Sequence, residues 1–442
     1  MGITWICSYL LLLILFLSSF ATSRSIVKTL PGFDGDLPLL ETGRTTVLLF
    51  VESQREPSSD PLLVLLAGGP GCSSFQAFFY GNGPLSFDYI YSEERLPTLH
   101  LNPDTWTKGL NILFIDAPVG AGFSYSKSFE GYFTTDQKTW TIDHPEFAEN
   151  QLYIGGGSYA GIFIPVLARK IYDGNEAGLK PQINLEGYVL GSPKTDSYLD
   201  VNSKVLAAHR LTLISDELYK QVAMEIMSIL IDTTNERCMM DVEAIDELIN
   251  GININQVLEP LCTSGYLKPN KVDRDQRILT RTPNNFLHAL PTNSALWCPN
   301  DPSVREALHV REGTKGYWKM CNTSDLAYTK DILSTIDHHR NLSKTRLRAL
   351  IYCADLDLSI PHIGTQEWMR SLNFTLDDSW RAWFVDAQVA GYTERYKYDN
   401  FYMTYPSVKV REPLHGAGHI AGLYKPKEVY NMIDRWFAYY PL

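Results

Sequence analysis

Tyr153-Ile154-Gly155-Gly156-Gly157-Ser158-Tyr159-Ala160-Gly161-Ile162 is the stretch on which the fold turns. The apolar run 152–154 reads as a strand and 162–172 as a helix, so Ser158 falls on the turn between them. Gly156 and Gly161 supply the side-chain-free neighbours a tight strand-to-helix turn needs if the serine hydroxyl is to stand clear of the backbone. That is the context of a nucleophile elbow. The same glycines would serve an ordinary turn of an α/β domain, so the catalytic reading depends on finding partners for the serine elsewhere in the chain.

Outward from this stretch lie further short, continuously apolar runs at 47–51, 62–66, 111–116, 187–191 and 350–353. Runs of that length without alternation belong to parallel strands buried on both faces. Helix-forming stretches separate several of them, and the fold class read from the pattern is α/β with a mainly parallel central sheet. Between 196 and 340 the strand runs thin out. Helical patterns at 213–231 and 241–250 take their place, and this segment reads as a largely helical cap insertion. The expected organisation is therefore a leader at 1–23, a first core segment at 24–195, the cap at 196–340 and a second core segment at 341–442.

The chain has 442 residues, 45% of them hydrophobic, enough for a large packed core. Its net charge of -11 is spread without a long single-sign run, which argues against nucleic acid or an anionic membrane as partner and favours small or neutral substrates. The apolar stretch 9–20, followed by Ala21-Thr22-Ser23, reads as a secretory signal too short for a membrane span. The mature protein is expected in the secretory pathway, outside the cell or in the vacuole. Its oligomeric state is left open. Six cysteines follow the leader, Cys72, Cys238, Cys262, Cys298, Cys321 and Cys353, and spacing alone cannot choose among their 15 connectivities. No Cys-x-x-Cys pair occurs, so no metal and no cofactor is expected. Asn322, Asn341 and Asn373 each begin a glycosylation triplet.

A serine needs a base to take its proton, and that base needs an acid to hold its tautomer. On a hydrolase sheet they follow in the order Ser, Asp, His at the ends of later strands. Asp355-Leu356-Asp357 lies just past the 350–353 run, and Gly416-Ala417-Gly418-His419 lies ahead of a helix at 426–437.

Together Gly68-Gly69-Pro70-Gly71-Cys72-Ser73-Ser74, Asp116-Ala117-Pro118-Val119-Gly120-Ala121-Gly122-Phe123-Ser124-Tyr125, Gly157-Ser158-Tyr159-Ala160-Gly161, Asp355-Leu356-Asp357 and Gly418-His419 resemble the serine carboxypeptidase-like family of plants. The likeness runs from about residue 25 to 442. It implies an α/β-hydrolase fold, with Ser158 as nucleophile, His419 as base, Asp357 as orienting acid and Asp355 supporting its loop. It also implies an oxyanion hole from the backbone N–H groups of Gly69 and Tyr159. Cys72 with Cys321 matches a long-range pair of the family, Cys238 with Cys262 would be a rewired one, and Cys298 and Cys353 have no expected partner.

Peptidase members of the family grip the substrate's terminal carboxylate with an asparagine and two acids. The corresponding positions here are Ala67, Gly157 and Gly81, none with a side chain that can donate or accept. The chain also falls short of the family by about ten residues in each of two places, between 43 and 47 and between 136 and 144. Acyl transfer from a glucose ester to a small acceptor is therefore read first, a serine-type carboxypeptidase acting on peptides second, and a catalytically silent secreted binding protein third.

Overall fold

The computed structural model describes residues 24–43, 48–87, 96–135, 150–227, 236–259, 299–314, 316–323, 325–409 and 416–442. The leader at 1–23, both stretches where the chain falls short, and Cys262 and Cys298 lie outside the described residues, as does the side chain of Cys238.

Among the described residues, eleven strands make one sheet. In chain order they are β1 (Arg24–Ile26), β2 (Leu40–Gly43), β3 (Leu48–Val51), β4 (Leu62–Leu66), β5 (Asn111–Ile115), β6 (Leu152–Gly157), β7 (Leu185–Gly191), β8 (Arg348–Ala354), β9 (Thr375–Val385), β10 (Gln388–Tyr398) and β11 (Phe401–Val408). They lie side by side as β1-β2-β3-β5-β4-β6-β7-β8-β11-β10-β9. The middle, from β5 to β11, is parallel throughout. Antiparallel strands finish both edges. The helices used below are α1 (Ala160–Glu176), α2 (Ser197–Arg210), α3 (Asp216–Met227), α4 (Glu236–Ile249), α5 (His362–Ser371) and α6 (Pro426–Phe437).

The central strands are apolar along their length because each face meets a covered layer. Leu63, Leu65, Ile112, Phe114 and Val189 share one buried cluster with Val429, Met432 and Trp436 of α6. Leu62, Val64, Leu66, Leu113 and Leu190 share the other with Ile162, Phe163 and Ile164 of α1 and Trp368 of α5. A third cluster joins Val205 and Ala208 of α2, Val222 of α3 and Ile245 of α4 to Leu358, so these helices pack onto the loop that carries Asp357.

The apolar runs locate six of the eleven strands; the run at 62–66 matches its strand at both ends, and the other five fall a residue or more short of the observed element or overhang it. The antiparallel edge hairpin at 375–398 escaped that reading because its strands are half-exposed, with exposed Trp380 and Phe384 among buried Trp383 and Val385. Asp386 and Ala387, both at positive φ, make the turn between β9 and β10.

Candidate active site

β6 ends at Gly157 and α1 begins at Ala160, leaving Ser158 on the turn at a φ of 58°. A non-glycine residue holds that conformation only where its surroundings dictate it. Here the Ser158 N–H donates to Gly191 O at 2.9 Å, while its carbonyl accepts from Gly161 N at 3.0 Å and Lys194 N at 2.9 Å. Packing closes the turn as well: a Cβ on Gly156 would sit 2.3 Å from Leu66 O, and one on Gly161 2.3 Å from Lys194 O. A Cβ on Gly68 would lie 2.8 Å from the Ser158 Cβ, so the Gly68-Gly69 loop presses directly on the elbow.

That loop is tied down by Asp116. Its carboxylate accepts from Ser73 Oγ at 2.6 Å and Ser74 N at 2.8 Å, and from Phe123 N at 2.9 Å. One buried acid thus ties the Gly-Gly-Pro-Gly-Cys-Ser-Ser segment to the Asp-Ala-Pro-Val-Gly-Ala-Gly-Phe segment. Gly122 must lack a side chain because a Cβ there would fall 2.0 Å from Asp116 Oδ2. Cys72 is bonded to Cys321, and Ser73 N donates to Met320 O at 2.7 Å beside that link. Cys353 is a free, buried thiol.

Asp357 follows β8, and His419 precedes the short helix Ala421–Tyr424. Although 62 residues apart, they meet: His419 Nδ1 and Asp357 Oδ2 are 2.7 Å apart. The second carboxylate oxygen, Oδ1, accepts from Ser359 N at 2.8 Å and Ile360 N at 3.0 Å, which fixes the acid's orientation. The Asp357 side chain is fully buried and that of His419 is 13% exposed. Burial pulls the His419 pKa down, but the charge and hydrogen bond of Asp357 outweigh it, and the net value stands above the ordinary one.

One part of the site carries no sequence signal. The loop after α4 threads between the two catalytic-type loops: Asn255 O accepts from His419 N at 2.7 Å, and Ile254 O accepts from Leu358 N at 2.8 Å. These are main-chain bonds, so no residue type betrays them. The one trace is Gly418, where a Cβ would lie 2.4 Å from Asn255 O.

Ser158, His419 and Gly69 line one cavity of about 440 Å³, and Ala67 and Gly157 lie in its wall. Gly81 does not line it. At φ 124°, with a would-be Cβ 2.5 Å from Gly422 O, Gly81 is held to glycine by the backbone. Of the glycosylation triplets, Asn341 and Asn373 are exposed, whereas Asn322 is half-buried and donates to Gly120 O at 3.2 Å. Among the described residues, no group of His, Cys, Asp and Glu could hold a metal ion, and no helix is long and apolar enough to cross a membrane.

A parallel sheet with a serine on the turn after a central strand, and an acid and a histidine joined at the ends of later ones, is the arrangement of an α/β-hydrolase. The family model for serine carboxypeptidases matches residues 41–439. Serine carboxypeptidase-like 17 of Arabidopsis thaliana is 39% identical, covering all of this chain and 98% of its own length. Serine carboxypeptidase-like 16 of the same plant is 40% identical over 98% of this chain and 99% of its own. The chain belongs to the serine carboxypeptidase family. The crystal structure of Kex1(delta)p, a prohormone-processing carboxypeptidase from Saccharomyces cerevisiae, shares the fold at a TM-score of 0.65, 19% identity, and coverage of 91% of this chain and 88% of that one. The alignment with the first plant relative spans 462 positions against 442 residues here, so this chain carries gaps against it.

Proposed function

We propose that the protein is an acyl-transfer enzyme that takes an acyl group from a glucose ester onto Ser158 and passes it to an acceptor alcohol. His419 accepts the Ser158 Oγ proton as the oxygen attacks the ester carbonyl, and Asp357 stabilises the imidazolium that results. The N–H groups of Gly69 and Tyr159 receive the developing oxyanion. Collapse breaks the bond to the glucose oxygen, which leaves with the proton from His419. The acceptor hydroxyl then gives its proton to His419 and its oxygen attacks the acyl-Ser158 carbonyl. The new ester departs and Ser158 regains its proton.

The observation that carries this reading is the wall of the cavity. Beside Ser158 and His419 it offers Ala67 and Gly157, which leave no side chain to grip a peptide's terminal carboxylate. The protein reaches its compartment through the leader at 1–23 and carries glycans on Asn341 and Asn373.

A fluorophosphonate probe tests the nucleophile. Wild-type protein should label and Ser158→Ala should not; equal labelling, or none in folded wild type, ends the enzymatic reading. With labelling established, a glucose ester and a blocked dipeptide offered side by side should give turnover of the ester only. Preferential cleavage of the dipeptide would make the protein a peptidase.

A further inference from the structure

Pro165 lies inside α1 and is buried. A proline there has no N–H, so the carbonyl four residues earlier, Gly161 O, loses the donor that a helix would give it. A buried carbonyl without a donor is costly. The donor arrives from a distant part of the chain: Thr335 Oγ1 donates to Gly161 O at 3.2 Å and to Thr195 O at 3.3 Å. One hydroxyl has one proton, and both lengths are those of a bond shared between two acceptors.

Thr335 makes these bonds in place of its local one. It is the N-cap of the helix Ile336–Leu342, where a threonine hydroxyl ordinarily accepts from an N–H of its own first turn, and it makes no such bond. Asp196, the N-cap of α2 in the segment alongside, does make it, accepting from Tyr198 N at 3.0 Å and Leu199 N at 2.9 Å. Thr335 is fully buried as well. A side chain that forgoes its local bond in this way is committed to a tertiary one.

Its two acceptors belong to the two pieces of backbone that form the serine turn. Gly161 lies in the first turn of α1, and the 191–195 loop holds Ser158 at both ends, through Gly191 O and Lys194 N. Thr335 N donates to Thr195 O at 2.8 Å and Ser197 N to Leu333 O at 2.9 Å, so 333–335 is bound along that loop, while Asp200 Oδ2 accepts from Thr195 N at 3.0 Å. In the same segment Tyr328 meets the Tyr159 ring edge-on at 6.3 Å, and Lys330 lies 5.6 Å over it. Contacts from 328–335 thus converge on Tyr159 and Gly161, directly after Ser158. We propose that Thr335 is a positioning residue of the active site. Its hydroxyl supplies the donor that Pro165 cannot, fixes the start of α1 against the 191–195 loop, and so holds the turn that presents Ser158 Oγ and the Tyr159 N–H. The proposal rests on Ser158 as nucleophile and is independent of whether the acyl group comes from an ester or a peptide.

Fluorophosphonate labelling at varied probe concentration separates binding of the probe from the maximal rate once it is bound. Thr335→Val removes the donor and should lower the maximal rate by about tenfold, because a displacement of a fraction of an ångström at the serine suffices. The half-saturating probe concentration should stay as in wild type, as should the pH midpoint set by His419 and Asp357. Thr335→Ser should restore the rate. Pro165→Ala returns an N–H to the carbonyl of Gly161, so in that background Thr335→Val should cost less than about threefold. An unchanged rate in Thr335→Val, a Thr335→Ser protein as slow as Thr335→Val, or a loss undiminished by Pro165→Ala overturns the proposal. Should Thr335→Val not fold alone, the double variant with Pro165→Ala should fold, and its failure to do so overturns the proposal too. The same cycle in denaturant midpoints reads the hydrogen bond without the probe. Coupling there with no labelling in folded wild type would uphold the link from Thr335 to Gly161 and sink Ser158 as nucleophile; labelling with no coupling would do the reverse.

Discussion

Gly156 and Gly157 are neighbours in sequence under opposite constraints. A Cβ at 156 would be 2.3 Å from Leu66 O and 2.6 Å from the Ala160 Cβ, whereas a Cβ at 157 would meet only Gly191 O at 3.2 Å. Gly68 and Gly161 belong with Gly156: they exist so that strand, loop and helix can close around Ser158. Gly157 faces the cavity, where the fold has room for a side chain. The half of the site that holds Ser158 on its turn is set by packing, and the half that faces the cavity is free of that constraint. A glycine is therefore informative about function only where the structure would have tolerated something else.

The chemistry of the packed half gives the largest expected effect. Asp357→Asn should lower the rate of fluorophosphonate labelling by about 10⁴, the scale seen when a triad acid loses its charge. It should also move the pH midpoint. The base must be neutral, so wild-type labelling should rise with pH through a midpoint above the ordinary histidine value of about 6.5. Without the Asp357 carboxylate, burial and Lys204 remain, both of which lower the value, so the residual midpoint should fall below it. A pH profile of labelling in both proteins checks this, and an unmoved midpoint would remove Asp357 from the role. In stability the sign is opposite. A raised folded pKa means the pair's contribution is present at low pH and is lost as pH rises through the folded value.

Next come the contrasting glycines. Gly161→Ala should destabilise by about 1–3 kcal/mol, since its contacts are backbone and the Pro193 side chain. Gly157→Ala should stay within about 0.5 kcal/mol of wild type. Denaturant titration measures both, and equal losses would break the distinction drawn here.

The smallest effect on activity, none at all, is expected from restoring the clamp acids one at a time. Gly157→Glu should fold normally, while Gly81→Glu should cost about 1–3 kcal/mol, because Gly81 is at φ 124° and abuts Gly422. Neither variant should gain carboxypeptidase activity on a blocked dipeptide. A chain that accepted both acids without loss, and then cut the dipeptide, would be a lapsed peptidase and not an acyl-transfer enzyme.

Much of this was legible in advance, for identifiable reasons. Buried parallel strands must be apolar on both faces, so β4 and β5 stand out from composition alone. Ser158, Asp357 and His419 carry side chains whose type and order are tied to their chemistry. The half-exposed strands β9 and β10 were harder, since an alternating, aromatic-rich run mixes with surface composition. The loop at 253–257 was not legible at all: it holds Asp357 and His419 together through main-chain bonds that any residue can make.

By itself, then, the sequence determined the α/β architecture, the positions of serine, acid and histidine, and the absence of a donor or acceptor side chain at 67, 81 and 157. These are questions of residue type along the chain. Only the tertiary structure decided that 157 has space and 81 does not, and that main-chain bonds from 254 and 255 tie the loop of the acid to that of the histidine. Each of those depends on which atoms lie within a few ångströms, and that is a property of elements far apart in sequence being brought side by side.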